Sequence, residues 1–128
     1  MAIRFKMVPK KNIMVIPPKV NYYPCAVSNG IEDLDSLSKK ISSRSSMSQA
    51  DCYGVVAALA QVINESLQEG KIVNLDFLGS FKITLQGTPA ATEEELGKAN
   101  IKGAKIIYHP SRKMKETLTS LEYKRIRD

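Results

Sequence analysis

The side chains that most often carry out catalysis or bind metals are scarce in this chain. It has one histidine, His109, and two cysteines, Cys25 and Cys52, and their spacing is not that of metal ligands. Asp33 and Asp35 stand at a predicted helix start, where capping explains their type. The chain also lacks a glycine-rich phosphate loop and the strand–turn–helix motif of a serine nucleophile. We therefore expect no enzyme, catalytic residue, metal, cofactor or small-molecule substrate.

The chemistry that remains is electrostatic, and it is concentrated at the two ends of the chain. There are 19 Lys and Arg against 13 Asp and Glu, which gives a net charge of +6. Residues 1–24 and residues 101–128 each carry +5, whereas residues 25–85 and residues 86–100 each carry −2. A basic surplus of this size permits binding to nucleic acid but does not prove it.

Length and composition suit one globular domain. The 128 residues are 43% hydrophobic and 25% charged. No apolar run approaches the roughly 18 residues of a membrane span, and prolines interrupt the basic N-terminus, which has no small-residue cleavage site. Two cysteines make no disulfide framework. We expect a cytoplasmic protein with neither a signal peptide nor a membrane partner.

The N-terminal part has the pattern of extended structure. Residues 2–8 alternate apolar and basic side chains, which predicts a strand with one buried face. Prolines and a lysine pair in residues 9–19 predict mainly a loop. Residues 20–27 favour an edge strand or an extended segment, because Pro24 cannot donate to a neighbouring strand. We treat residues 1–30 as an extension with one or two strands that pack on the domain formed by residues 31–128.

Two helices are predicted next. A short one is expected over residues 34–44, followed by an inter-helix turn at residues 42–47. Ser48 has the position of a helix cap, and Gly70 has that of a helix stop. Between these two residues, apolar side chains recur at helical spacing over about four turns.

The rest of the chain predicts an antiparallel sheet and a last helix. Residues 71–76 and 80–85 alternate around a turn and predict a hairpin with one wet face. Residues 86–100 read as a projecting loop, and residues 101–108 as a third strand. Pro110 and Ser111 open a helix that is expected to contain three apolar residues, after which residues 121–127 form a short strand. Those three apolar residues are Met114, Leu118 and Leu121.

The order and spacing of four features between about Asp35 and Leu121 resemble the HU and integration host factor family of bacterial architectural DNA-binding proteins. They are the helix pair that ends in Glu69-Gly70-Lys71, the hairpin with its Gly79-Ser80-Phe81 step, the arm-like insertion at residues 86–100, and the segment from Tyr108 to Lys115. The extension resembles that of a divergent HU-related branch. The resemblance implies an α+β fold, in which a two-helix layer packs on a three-stranded antiparallel sheet with a β-arm and a C-terminal helix.

The resemblance also implies an intertwined homodimer in the nucleoid, with a basic saddle for duplex DNA. A physical argument agrees, because two helices and a three-stranded sheet leave apolar faces that one small chain cannot cover. The residues expected at the dimer interface are Val55, Leu59, Val62, Ile63 and Phe81. The residues expected to contact DNA are Lys82, Lys98, Lys102, Lys105, His109, Ser111, Arg112, Lys113 and Lys115.

Within that set, individual positions differ from the family in informative ways. Arg112 and Lys115 match basic positions that contact phosphates. Ser111 replaces the family's usual glycine, and its backbone N–H is expected to donate to a phosphate. His109 replaces a frequent lysine, so its charge depends on pH. It is interpreted either as a surface histidine or as a phosphate contact. Few Asn, Gln or Arg residues are placed to read bases, so we expect low sequence specificity and some DNA condensation.

The departures leave a second hypothesis open. The family's arm is rich in arginine and carries a proline that wedges between base steps, whereas residues 86–100 lack arginine and contain Glu93-Glu94-Glu95. No wedge role is transferred to Pro89. The alternative is an HU-like dimeric structural or protein-interaction module that has lost most DNA binding; an RNA-binding variant also stays open. Residues 1–30 are interpreted as an added edge strand, which covers the sheet or pairs with residues 121–127, or as an arm that tracks DNA.

Overall fold

The computed structural model describes residues 1–93 and 97–127. By internal contacts the chain divides into two compact units, which we describe separately. The first consists of Met1–Asp33 and Leu118–Asp128, and the second of Leu34–Thr117. In chain order the helices and strands are β1 (Ile3–Asn12), β2 (Lys19–Ala26), α1 (Leu34–Ser43), α2 (Gln49–Gln68), β3 (Val73–Leu75), β4 (Gly79–Gly87), β5 (Ile101–Pro110), α3 (Arg112–Thr117) and β6 (Tyr123–Arg125).

The two long helices of the second unit lie where the sequence predicts them. The Ser48 hydroxyl accepts a hydrogen bond from the Asp51 N–H at 3.1 Å, which caps the start of α2. At the other end Gly70 has a φ of +81°, its N–H donates to the Leu67 carbonyl, and the Lys71 N–H donates to the Ser66 carbonyl. This pair of bonds is a Schellman motif, which is why the helix ends there.

The core of the second unit is small. Cys52 and Leu67 on α2 are buried, as is Ser38 on α1. The Ser38 hydroxyl donates to the Leu34 carbonyl at 2.6 Å, so its burial leaves no unpaired hydroxyl donor. Val55 and Val62 lie elsewhere on the circumference of α2, and each is 56% exposed. The apolar stripe of α2 is therefore only partly covered by its own chain.

The sheet of the second unit has the order β3-β4-β5, with both pairs antiparallel. Its register places three pairs of apolar residues on one face, as the predicted alternation requires. We call this the apolar sheet face; its members are Phe81, Ile83, Leu85, Ala104, Ile106 and Tyr108. The opposite face, the polar sheet face, consists of Ser80, Lys82, Thr84, Lys105, Ile107 and His109.

The first unit contains a mixed sheet of order β2-β1-β6. β1 and β2 form an antiparallel hairpin, and β6 runs parallel to β1 over residues 3–5 only. The N-terminal strand thus pairs with residues 123–125, inside the segment 121–127 considered from sequence, but it is the central strand of its sheet and not an added edge strand. Pro24 lies in β2, which is an edge strand as predicted.

Two sequence predictions are wrong in extent. β1 continues through Pro9 to Asn12, where a loop is predicted. Its pairing with β6 ends at Phe5, so beyond that residue one edge of β1 has no neighbouring strand. A proline is tolerated there because no N–H is needed for a hydrogen bond on that edge. The last helix ends at Thr117, and a 3₁₀ turn follows at Leu118–Ser120, so neither Leu118 nor Leu121 is in it. The Thr117 hydroxyl donates to the Lys113 carbonyl, and such back-bonding side chains weaken helices.

Candidate functional site

The polar sheet face brings together three of the basic residues singled out from sequence. Lys82 on β4 stands opposite Ile107, Lys105 on β5 stands opposite Thr84, and His109 stands opposite Ser80. Opposite residues of an antiparallel pair share a face, so all three side chains leave the same side of the sheet. The strands β3, β4 and β5 contain no acidic residue. This face is therefore a place where an anion meets no fixed negative charge from the strands themselves.

One end of this face is held by a network around the turn between β3 and β4. The Tyr108 hydroxyl donates to the Leu78 carbonyl at 2.7 Å, and the Ser111 hydroxyl donates to the Phe77 carbonyl at 2.8 Å. The Tyr108 ring also lies 5.2 Å from that of Phe81, measured between centroids. These contacts join the turn, the end of β5 and the start of α3. The hydroxyl of Tyr108 could not be singled out from sequence, because the resemblance to the HU family extends only to an aromatic ring at this position.

Gly79 is required by the same network. Its φ of +135° lies in a region that L side chains rarely adopt. A Cβ at this position would also clash with the carbonyl oxygen of His109 on the neighbouring strand. The glycine of the Gly79-Ser80-Phe81 step thus allows β4 to start close beside the end of β5.

Ser111 is placed differently from the expectation. Its backbone N–H, expected to donate to a phosphate, donates to the Leu78 carbonyl at 3.1 Å. Its hydroxyl, besides donating to Phe77, accepts from the Met114 N–H at 3.2 Å and so caps α3. The cause is the close approach of the β3–β4 turn, because its Leu78 carbonyl accepts the N–H that would otherwise be open at the start of the helix. Ser111 therefore positions α3.

The basic residues of α3 are exposed. Arg112 lies in the first turn, as expected, and its side chain is 94% exposed. Its Nε lies 3.5 Å from a carboxylate oxygen of Glu116, one helical turn later. Lys113 and Lys115 also face solvent. A shallow depression of about 390 Å³ places Arg112 beside His109, with the carboxylate of Asp76 also on its wall.

Lys98 and Lys102 lie apart from the polar sheet face, at the base of the arm. Lys98 is in a 3₁₀ turn, and Lys102 falls at an irregularity where Gln86 pairs with Gly103 but Gly87 pairs with Ile101. Strand alternation therefore assigns Lys102 to neither face. Its ammonium lies 3.4 Å from the Ala99 carbonyl. Glu93 of the acidic triplet is exposed, and Glu94 and Glu95 lie outside the described residues.

The residues expected at a dimer interface lie on two apolar surfaces. On α2, Val55 and Val62 are largely exposed, Leu59 is 38% exposed, and Ile63 is half-buried. On the apolar sheet face Phe81 is half-buried, whereas Leu85 and Ile106 are 65% and 62% exposed. Exposed apolar surface on this scale is unusual in a soluble monomer and is typical of an interaction surface.

Two features are absent from the described residues, 1–93 and 97–127. Within them no group of three or more His, Cys, Asp and Glu side chains has the geometry to hold a metal ion. No helix in this part of the chain has the length and apolar character to cross a bilayer.

Comparison with known proteins relates the whole chain to one family. Residues 1–125 match the HU-HIG family, described as an HU domain fused to a wHTH, Ig or glycine-rich motif. No curated protein matches the sequence.

Two solved structures have a similar fold. A putative bacterial DNA-binding protein from Bacteroides vulgatus has a TM-score of 0.69 at 10% identity; the match covers 98% of this chain and 48% of that one. This chain thus spans about half the length of that protein. The HU protein of an Anabaena HU–DNA cocrystal has a TM-score of 0.54 at 17% identity, over 70% of this chain and 99% of that one. The fold of this chain is therefore HU-like.

Proposed function

The chain belongs to the HU-HIG family of HU domains, and on that premise we propose that it is an architectural protein that binds duplex DNA as a homodimer. The observation that carries the proposal is the polar sheet face, where Lys82, Lys105 and His109 share one side of a sheet whose strands have no acidic residue. The Anabaena HU of similar fold was crystallised with DNA. We assign the DNA contacts to this face and to the exposed basic side chains of α3.

Binding through phosphates and with low sequence specificity is part of the proposal. Lysine ammonium groups on a strand neutralise phosphates but make no bidentate contacts to base edges. α3 is only six residues long, which leaves little length for a helix that reads the major groove. Lys98 and Lys102 are proposed as further contacts at the base of the arm, and Ser111 is proposed to act by positioning Arg112.

Dimerisation is proposed from the apolar surfaces. Burying one Val or Leu side chain fully stabilises an assembly by about 1.5–3 kcal/mol, so the exposed Val55, Leu59 and Val62 represent a substantial unused driving force. A second copy of the chain would cover α2 and the apolar sheet face, including Ile63 and Phe81. Paired polar sheet faces would then form one continuous basic surface.

The test is a mobility-shift titration of the full chain on random-sequence duplex and on a four-way junction, across a salt series. We expect binding at about 50 mM salt and a linear fall of log K with log salt, with a slope near −0.9 per phosphate contact. Replacing both Lys82 and Lys105 by Gln should reduce the magnitude of the slope by about 2 per protomer, or about 4 for the dimer. Replacing Arg112 and Lys115 by Ala should reduce it by about 1 to 2 per protomer and weaken all sequences equally.

The matched control replaces Lys39 and Lys71, whose ammonium groups face Asp35 and Glu69, by Gln. It removes the same charge and should leave the slope unchanged. The proposal is contradicted if the wild-type chain does not bind duplex. It is also contradicted if the salt slope of the wild-type chain equals that of the variant with Lys82 and Lys105 replaced by Gln. Stronger binding to duplex RNA than to duplex DNA would assign the same face to a different nucleic acid.

The acidic arm favours one alternative function. Residues 86–100 carry −2 at the position of the family's most basic segment, and Glu93 is exposed there. An HU-like dimer with this arm could serve as a structural or protein-interaction module with little DNA binding. A dimer that shows no salt-dependent binding to any duplex in the titration would favour it.

A further inference from the structure

The hairpin formed by β1 and β2 has a strongly one-sided charge distribution. The seven basic residues of β1, β2 and β6 have no acidic counterpart on these strands. Strand pairing places five of the seven on one face of the sheet, which we call the basic face. Its charged residues are Arg4, Lys6, Lys10, Lys19 and Lys124. Lys11 and Arg125 are on the opposite face, among apolar neighbours.

The hairpin also extends beyond the three-stranded part of its sheet. β6 pairs with residues 3–5 only, so residues 6–12 of β1 form a two-stranded ribbon with β2. At about 3.4 Å per residue this ribbon is roughly 24 Å long. Lys10 lies on its basic face, with its ammonium 5.5 Å from the centroid of the Tyr23 ring.

The tip of the ribbon is apolar and exposed. Between the two strands stand Ile13, Met14, Val15, Ile16, Pro17 and Pro18. The exposed fraction is 76% for Ile13, 89% for Met14 and 95% for Ile16. Scattered apolar residues on a surface are ordinary, but a run of four consecutive exposed ones is typical of an interaction site.

We propose that this hairpin is a second DNA-binding element, whose basic face contacts phosphates and whose apolar tip inserts beside the bases. The proposal rests on the proposed function, because it assigns to the hairpin a further contact of a protein that binds duplex DNA. The net charge of +5 over residues 1–24 complements a polyanion. Ile, Met and Pro are among the side chains that minor-groove proteins insert between base steps, and insertion bends the duplex.

The basic face is tested by the salt slope of the full chain on a random-sequence duplex. The variant Lys10→Gln with Lys19→Gln should reduce the magnitude of the slope by about 2 per protomer, or about 4 for the dimer, since each phosphate contact contributes near 0.9. The matched control, Lys11→Gln with Arg125→Gln, removes two charges from the opposite face of the same sheet and should change the slope by much less. Equal losses in both variants would overturn the assignment to one face, as would a wild-type slope in the Lys10 and Lys19 variant.

The tip is tested by the energy transfer between dyes at the two ends of a short duplex, which reports bending. Replacing Ile13, Met14 and Ile16 by Ser should lower energy transfer toward that of the free duplex and leave the salt slope unchanged. Ile31→Ser, also at a 95% exposed position, is the control and should bend as the wild type does. Unaltered bending in the tip variant overturns insertion.

These experiments separate the two proposals. If Lys82→Gln with Lys105→Gln reduces the magnitude of the salt slope while the hairpin variants behave as wild type, the proposed function stands and this inference fails. If only the hairpin variants lose binding, the polar sheet face has been assigned wrongly. If the chain binds vesicles of equimolar phosphatidylglycerol and phosphatidylcholine but no duplex, and the tip variant releases it, the hairpin is a membrane-binding loop and the inference is overturned.

Discussion

The two sheets of this protein are both three-stranded, but their long hairpins have opposite character. In the first unit, β1 and β2 carry only basic charge and end in an exposed apolar tip. In the second unit, β4 and β5 lead into residues 86–100, which carry −2. The base of that arm is closed by Asn100, whose carbonyl accepts from the Thr88 N–H at 2.9 Å and whose amide donates to the Thr88 hydroxyl.

This difference shows that a basic hairpin with an exposed apolar tip and the hydrogen-bond network that fixes a sheet need not occur in the same unit. The second unit has the network that fixes its sheet and α3, and its proposed DNA contacts lie on the polar sheet face, on α3 and at the base of the arm. Both hairpins have basic strands, but only the hairpin of the first unit ends in an exposed apolar tip, whereas β4 and β5 lead into an acidic segment. Variants that affect one sheet and spare the other therefore give the clearest tests.

The largest effect is expected from Gly79→Ala, which should disrupt the second sheet. An L residue at a φ of +135° costs about 1–3 kcal/mol, and the clash with the His109 carbonyl adds to this. We expect a loss of about 3 kcal/mol or more in the free energy of unfolding, measured by urea denaturation. Gly54→Ala is the control. Its Cβ meets nothing within 4 Å, and alanine should stabilise α2 by about 0.5–1 kcal/mol. Equal midpoints for the two variants would show that the turn is not constrained as described.

The next largest effect concerns assembly. Val62→Asp places a charge on the exposed apolar side of α2, so it should shift the proposed dimer to monomer in sedimentation equilibrium. Gln61→Asp adds the same charge at the adjacent position, about 100° around the helix and on the side away from buried Cys52, and should leave the dimer intact. A Val62→Asp protein that remains dimeric would mean that α2 is not the interface.

Tyr108→Phe should have a smaller effect, since it removes one hydrogen bond and keeps the ring. Loss of the 2.7 Å bond to the Leu78 carbonyl should lower the free energy of unfolding by about 0.5–1.5 kcal/mol. Tyr22→Phe, at a 63% exposed position of the first sheet, is the comparison and should change stability by less than about 0.5 kcal/mol. The reverse order in thermal unfolding would contradict the role given to this hydroxyl.

The smallest effect is expected in the arm. Glu93→Gln removes one exposed carboxylate near the proposed DNA surface, so affinity for duplex should rise by about 2-fold at low salt. The gain should vanish at high salt, where exposed charges are screened. Glu65→Gln on α2 serves as the control for net charge and should leave affinity unchanged. A larger gain for Glu65→Gln would show that the arm is not close to the nucleic acid.

Much of the fold follows from local signals in the sequence. The cap at Ser48, the stop at Gly70 and the alternation in β4 each have a local physical cause, and each is found where predicted. The extension of β1 through Pro9 was not predictable in this way, because a proline is tolerated only once the pairing of a neighbouring strand has ended. The early end of α3 likewise reflects side chains that compete for backbone bonds.

The candidate site was harder to predict than the fold. Residue type and spacing placed Lys82 on a wet face, but only the register shows that Lys105 and His109 share it. The N–H of Ser111 was expected to be open because its partner, the Leu78 carbonyl, is 33 residues away in sequence. The alternation of residues 2–8 already indicates part of the basic face of the first sheet, but only the register of β1 with β2 and β6 adds Lys19 and Lys124 to it.

The most direct test of the central claim is lysine acetylation of the full chain with and without saturating random-sequence duplex, read by mass spectrometry. Bound DNA should protect Lys82 and Lys105 on the polar sheet face, while Lys39 and Lys71 should react equally in both samples. Equal reactivity of Lys82 and Lys105 with and without bound duplex would contradict it.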